Sequence, residues 1–267
     1  EYFITALYFA SARWGDGEGR YDYRAHADRL LHDVLHRESI TGPTNRGEMT
    51  AVNLFDHDAK MVRFTPDVVN AAHTDASYHL PAFYEIWARV GPEADRAFWR
   101  EAAQASRDYF VAAAHPDTGL TPDYGNFDGT PWAASWRPEA VDFRYDAWRS
   151  AMNWSTDWSW WRADPRQVEL SNRLQAFFEA QGPDSYQSLY SLEGKPLGGG
   201  QTTGLVAMNA TAGLAADHPR RLDFVRALWE RPVPTGQYRY YDGMLHMMAM
   251  LHLGGRYRVW WPAGTAP

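Results

Sequence analysis

Residues 141–165 read VDFRYDAWRSAMNWSTDWSWWRADP. From Arg144 onward the apolar side chains recur at spacings of three and four, the period of a helix with one buried face. The pattern stops at Asp164-Pro165. Proline suits the first position of a new helix, and a second helical pattern follows from there to about residue 181. Two helices joined by so short a connection form an antiparallel hairpin. The same unit recurs on both sides of this stretch. Helices are expected near 2–13, 22–37, 76–90, 93–114, 144–163, 165–181, 203–216, 219–230 and 240–254, about nine in all. Breakers separate them at Gly15-Asp16-Gly17, Gly91-Pro92, His115-Pro116, Gly182-Pro183 and His218-Pro219. A single strand pair is expected, Met49–Phe55 with Met61–Phe64. The loops 115–143 and 182–202 have a length that usually accompanies function. No shift in composition divides the chain, so 1–267 reads as one domain.

Composition narrows the function classes. Lys and Arg total 26 against 33 Asp and Glu, a net charge of −7 with no basic surplus for a phosphate backbone. Nucleic acid is therefore not an expected partner. No apolar run approaches the ~18–20 residues that span a bilayer, so no membrane partner is expected either. The absence of cysteine excludes disulfides, thiol nucleophiles and Cys-based zinc sites. The unusual figures are 13 Trp and 15 Tyr. Surplus Trp and Tyr suit a groove for flat, partly apolar ligands, and sugar rings are such ligands.

Within the first stretch, Asp146 falls in the opening turn of the expected helix, and Arg149 lies three residues on. A carboxylate there is favoured by the positive end of the helix, and the guanidinium one turn later can hold it ionised. Five Trp lie between Trp148 and Trp161. An ionised, positioned carboxylate beside aromatic side chains can activate water. A helix-end charge with an ion pair fits the same spacing. HTDASYHLPAFYEIWARVG (73–91) has Asp75 or Ser77 as cap, then Tyr78 and His79; GQYRYYDGMLHMMAMLHLGG (236–255) puts Tyr240, Tyr241 and Asp242 at another helix start. Three polar-aromatic clusters at helix N-termini are what one cleft would need. His32 and His36, four apart, read as the polar face of an outer helix beside Asp28, Arg29, Asp33 and Arg37, and no metal is expected. Asp56 and Asp58 begin like a calcium loop, but Lys60 and Met61 occupy the next ligand and turn positions.

FRYDAWRSAMN with DWSWWRADPRQVELSNRLQAFF, TDASYHLPAFYEIWA, TTGLVAMNA and LWERPVPTGQYRYYDGMLHMMAMLHLGGRYRVW stand in one order and resemble glycoside hydrolase family 8, in particular its xylan-active members. The resemblance runs from Glu1 to about Trp260. It implies an all-α (α/α)6 barrel of twelve helices. This chain would be its C-terminal part, with one small β-hairpin and the N-terminal helices upstream of Glu1. It also implies hydrolysis of β-1,4 bonds with inversion, without a cofactor. Asp146, in Tyr145-Asp146-Ala147-Trp148-Arg149, would be the general base and Arg149 its orienting partner. Tyr78 and Tyr241 would contact the sugar at the point of cleavage. The family's general acid, a glutamate in Ser/Thr-Glu-Gly, has no match in this chain and is expected upstream of Glu1. Gln201 stands where related xylanases tend to carry His in a loop that helps close the cleft after one product subsite. Trp132 and Trp136, with the Trp-rich segment to 161, would narrow the cleft to xylose, which lacks a hydroxymethyl group. The expected substrate is a xylo-oligosaccharide cut at its reducing end; the alternatives are endo action on xylan and a sugar-binding fragment without the acid. A monomer is expected, cytoplasmic if exo-acting and secreted if endo-acting.

Overall fold

The computed structural model describes residues 1–237 and 239–261, so Tyr238 and the last six residues of the expected domain lie outside it. Nine α-helices stand among the described residues: α1 Tyr2–Trp14, α2 Tyr23–His36, α3 Pro81–Val90, α4 Arg96–Ala113, α5 Ser150–Trp161, α6 Arg166–Ala180, α7 Thr203–Ala212, α8 Arg221–Trp229 and α9 Arg239–Leu253. They pair as hairpins, α1 with α2, α3 with α4, α5 with α6 and α7 with α8. The first members also pack on one another in sequence, α1 on α3, α3 on α5, α5 on α7 and α7 on α9. The result is a mostly helical arc of inner helices backed by outer ones, with α1 and α9 as its ends. The described residues do not form a closed barrel.

Burial follows that order. Every residue of α7 from Gly204 to Ala212 is buried, as a helix surrounded by neighbours requires. The outer α2 buries only Ala27, Leu31 and Leu35, one stripe at helical spacing. One apolar cluster joins α5 to α9 and a second joins α1 to α4. His36 of α2 lies 2.7 Å from Asp95 at the head of α4, so the two outer helices meet through a side-chain hydrogen bond.

The helix boundaries differ from the expected ones where backbone chemistry intervenes. The helix expected over 76–90 is broken: a 3-10 turn Ala76–Tyr78 is followed by extended His79 and then α3. Pro81 is the cause, because its ring excludes a helical conformation at the residue before it. The helix expected from Arg144 begins as a 3-10 turn, Ala147–Arg149, and continues into α5.

Three two-stranded antiparallel sheets stand among the described residues, β1 Ile40–Thr44 with β2 Gly47–Ala51, β3 Phe55–Asp56 with β4 Met61–Val62, and β5 Leu189–Tyr190 with β6 Pro196–Gly198; the second is the expected hairpin, shortened. Met49 to Ala51 thus pair with β1 rather than with Met61–Phe64. Pro43 and Gly42 disguise β1 in the sequence; an exposed two-stranded edge tolerates them.

Candidate active site

The heads of α3, α5, α7 and α9 converge at one end of the arc. Arg149 Nη2 donates to Ser77 Oγ at 2.8 Å, joining α5 to the turn before α3. Gly204 N donates to Asp242 Oδ1 at 3.2 Å, joining α7 to α9, and the Tyr241 hydroxyl donates to the Tyr145 carbonyl at 2.6 Å. Gly204 has a packing reason: a Cβ there would stand 2.6 Å from Asp242 Oδ1 and 3.2 Å from the Trp148 ring. The segment before Asp146 is itself held, because Phe143 and Tyr190 of β5 exchange backbone hydrogen bonds of 2.9 and 3.2 Å.

An open cleft of about 800 Å³ occupies this end, with Arg137, Tyr145, Asp146, Trp148, Tyr241 and Asp242 among its walls. Asp146 stands at the head of the Ala147–Arg149 turn, and its Oδ1 accepts from Arg149 Nη2 at 2.6 Å. Burial works against the charge on Arg149, but Tyr241, Asp75 and Asp146 more than offset it, so the guanidinium holds its proton more tightly than usual. Two further carboxylates flank the pair. Asp75 is fully buried and caps the Ala76–Tyr78 turn by accepting from Ser77 N at 2.7 Å. Burial first, and then the charge of Asp146, lift its carboxyl well above the usual range. Asp123 is equally buried, and the same two causes push it up to about 6. Burial likewise raises the Tyr78 and Tyr241 phenols. Both remain neutral hydrogen-bonding groups.

Tyr78 belongs to a stack behind Asp146. The Arg149 guanidinium lies 5.8 Å from the Tyr78 ring centre. Tyr78 stacks on Phe64 at 5.7 Å, Phe64 on His73 at 4.9 Å, and His73 on Trp132 at 4.9 Å. Trp132 therefore sits at the far end of the column, and the more exposed Trp136 leans on Phe64 and Tyr124. Gln201 is engaged elsewhere. Its amide donates to the Pro183 carbonyl at 2.9 Å and its oxygen accepts from Arg231, while Gly199 and Thr202 beside it line the cleft.

The structure thus brings Asp146, Arg149, Tyr78 and Tyr241 together and leaves Trp132 and Gln201 at the periphery. The Trp-rich segment contributes only Trp148 to the cleft. Trp154 is buried and donates to Ser171, whereas Trp161 donates to the Ala82 carbonyl and Trp160 packs on Phe9 and Phe83. Asp123 and Arg137 were not legible as site residues. Their only signal is the length of the 115–143 loop that carries them.

The model for glycosyl hydrolases family 8 matches residues 1–255. The reducing-end xylose-releasing exo-oligoxylanase Rex8A of Paenibacillus barcinonensis is 44% identical over 262 residues, 97% of this chain and 66% of that protein. A reducing-end xylose-releasing exo-oligoxylanase of Halalkalibacterium halodurans is 39% identical over 99% of this chain and 65% of its own length. Among solved structures, a family 8 enzyme from Teredinibacter turnerae in complex with xylobiose is 65% identical, with a TM-score of 0.95 over 98% of this chain and 66% of that one. The chain thus spans just under two thirds of the relatives it matches.

Proposed function

Because the chain belongs to glycosyl hydrolases family 8, we propose that the protein carrying it hydrolyses β-1,4-xylosidic bonds of xylo-oligosaccharides with inversion, releasing xylose from the reducing end. The observation that carries this reading is the Asp146–Arg149 pair, at 2.6 Å, in a cleft walled by Tyr145, Trp148 and Tyr241. Residues 1–267 would belong to one (α/α)6 catalytic domain, of which the arc described above is a part.

Inversion requires a base that deprotonates a water on one face of the sugar while an acid protonates the leaving oxygen on the other. The two carboxyl groups are separated by about 6.5–9.5 Å to admit that water. Asp146 takes the base's role. Arg149 aims the carboxylate through its hydrogen bond to Oδ1, so that the free oxygen meets the water. Tyr241 and Tyr78 supply neutral hydroxyls that orient the sugar without competing for the proton. The acid would be a Ser/Thr-Glu-Gly glutamate, for which residues 1–267 contain no counterpart. Trp132 backs the aromatic stack that ends in Tyr78, and Gln201 shapes the loop that carries Gly199 and Thr202.

Arg149→Ala lowers kcat, with a smaller effect on KM, because the carboxylate loses its aim rather than its chemistry. A misaimed group costs up to about 10²-fold. Arg149→Lys restores only part of this, since an ammonium lacks the guanidinium's fork. Wild-type kcat in Arg149→Ala would reduce Arg149 to a surface ion-pair partner.

Xylose lacks the hydroxymethyl group of glucose, and on this reading the aromatic wall with Tyr145 at its surface leaves no room for such a group. Exclusion by bulk is a repulsive device. Discrimination by one small group in a pocket is worth about 10–200-fold, so kcat/KM on xylotriose exceeds that on cellotriose by at least this much. Equal values on the two series would overturn the choice of substrate. Endo action is the second reading, favoured by the Gln201 amide being tied to Pro183 and Arg231 rather than reaching across the cleft. Products decide between the two: single xylose units mark exo action, and mixed internal fragments from polymeric xylan mark endo action.

A further inference from the structure

The loop before the base contains a buried carboxylate that the mechanism above does not use. Asp123 Oδ1 accepts two hydrogen bonds, from Asp146 N at 2.9 Å and Ala147 N at 3.1 Å. These are orphan amides of the turn that leads into α5, and such amides need an acceptor. Most caps come from the adjacent residue. This one comes from 23 residues earlier in the chain.

Asp123 is itself fixed. Its N–H donates to the Asp142 carbonyl at 2.9 Å, and the next residue, Tyr124, donates to Ala140 at 3.0 Å. Its second oxygen stands 2.8 Å from Arg137 Nη2, an ion pair. Arg137 also donates to the Tyr124 hydroxyl at 3.0 Å and lies 5.8 Å from the Tyr145 ring centre. The loop, the base and the aromatic residue before the base therefore share one anchor.

We propose that Asp123 is a positioning residue for the base, anchoring the main chain of Asp146 and Ala147 at the head of α5. The inference rests on Asp146 being the base. Two effects follow from the geometry. Loss of the acceptor frees the Asp146 main chain, and a displacement of about 1 Å at a catalytic group can cost 10²-fold. Protonation of Asp123 weakens the acceptor that holds the Asp146 main chain, so its own titration, pushed up to about 6, contributes to the acid limb of the pH profile, and removing it moves that limb to lower pH. The groups facing Asp123 are Asp146, Asp75, Arg137, Tyr124 and Tyr241. Asp75 and Asp146 are the other carboxylates of this set, and Asp75 is lifted well above the usual range by burial and by Asp146. Burial and Asp146 raise Asp123 to about 6, which places its protonation within that limb.

The test measures kcat and KM on xylohexaose from acid to neutral pH in the natural protein, with Asp123→Ala, Asp123→Asn and Asp146→Asn. Asp123→Ala is expected to lower kcat about 10²-fold with KM within a few-fold of wild type. Asp123→Asn keeps an acceptor at Oδ1 and restores most of kcat, but its acid limb moves to lower pH. Should Asp123→Ala fail to fold, the isosteric Asn variant decides through its pH profile. An unmoved limb in Asp123→Asn, or wild-type kcat in Asp123→Ala, overturns the inference while leaving the base assignment intact if Asp146→Asn is dead. Turnover by Asp146→Asn overturns both.

Discussion

Asp146→Asn lowers kcat on xylohexaose by about 10²–10⁴-fold, the usual worth of general base catalysis, while oligosaccharide binding and thermal unfolding stay at wild-type values. The amide keeps the shape of the carboxylate and can still accept from Arg149 Nη2, which lies 2.6 Å from Oδ1. It cannot take a proton from water. Asp146 is half-exposed at the cleft and makes no other side-chain bond to the protein, so folding loses little. Calorimetric titration of xylohexaose into the variant separates the two effects: an unchanged Kd with collapsed turnover is the expected result. Near-wild-type turnover would remove Asp146 from the reaction altogether. A parallel loss of binding and of the unfolding transition would make it a structural residue.

Arg107→Met destabilises the fold by about 3–5 kcal/mol, the cost of leaving one member of a buried ion pair alone. Arg107 on α4 holds Asp157 on α5 through two parallel hydrogen bonds, Nε to Oδ2 at 2.8 Å and Nη2 to Oδ1 at 2.9 Å. Asp157 is fully buried, and Gln167 of α6 adds a third bond at 2.7 Å. Glu85 on α3 also reaches Arg107 at 2.9 Å. Four helices therefore meet at one charge. Without the guanidinium, Asp157 must either stay charged in the interior or take up a proton, and burial already raises its carboxyl. Adding Asp157→Asn removes the stranded charge and keeps an acceptor for Gln167, so the double variant recovers a large part of the loss. Denaturant unfolding measures both. A loss below about 1 kcal/mol, the scale of an exposed pair, would show that water reaches the site. Because the turn that Asp146 heads runs straight into α5, the same substitution connects the stability of the helix bundle to the placement of Asp146.

Tryptophan enrichment points in two directions at once. Thirteen indoles suggest a sugar-binding groove, but even Trp148, in the cleft wall, is a buried side chain. Trp87, Trp99 and Trp154 are equally buried, and Trp160 and Trp161 pack between helices. Residue type alone cannot separate these uses, because a core and a sugar platform draw on the same apolar ring.

Helical periodicity and breaker residues by themselves determined the nine helices and their pairing, because the apolar stripe and the Pro and Gly stops act over a few residues. The Tyr145-Asp146-Ala147-Trp148-Arg149 run also placed the carboxylate and guanidinium one turn apart, a distance set by the helix alone. Only the tertiary structure decided the rest. Ser77 and Arg149 are 72 residues apart, and Asp123 and the Asp146 amide 23, so no local rule brings them within 3 Å. The strand β1 was hidden because Gly42 and Pro43 oppose the strand propensity that the pairing with Gly47–Ala51 overrides. Whether Gln201 reaches substrate was equally undecidable from its neighbours, since Pro183 and Arg231 claim its amide from elsewhere in the chain. Contacts between distant segments depend on how the inner helices pack, and that packing belongs to the whole arc rather than to any window of sequence.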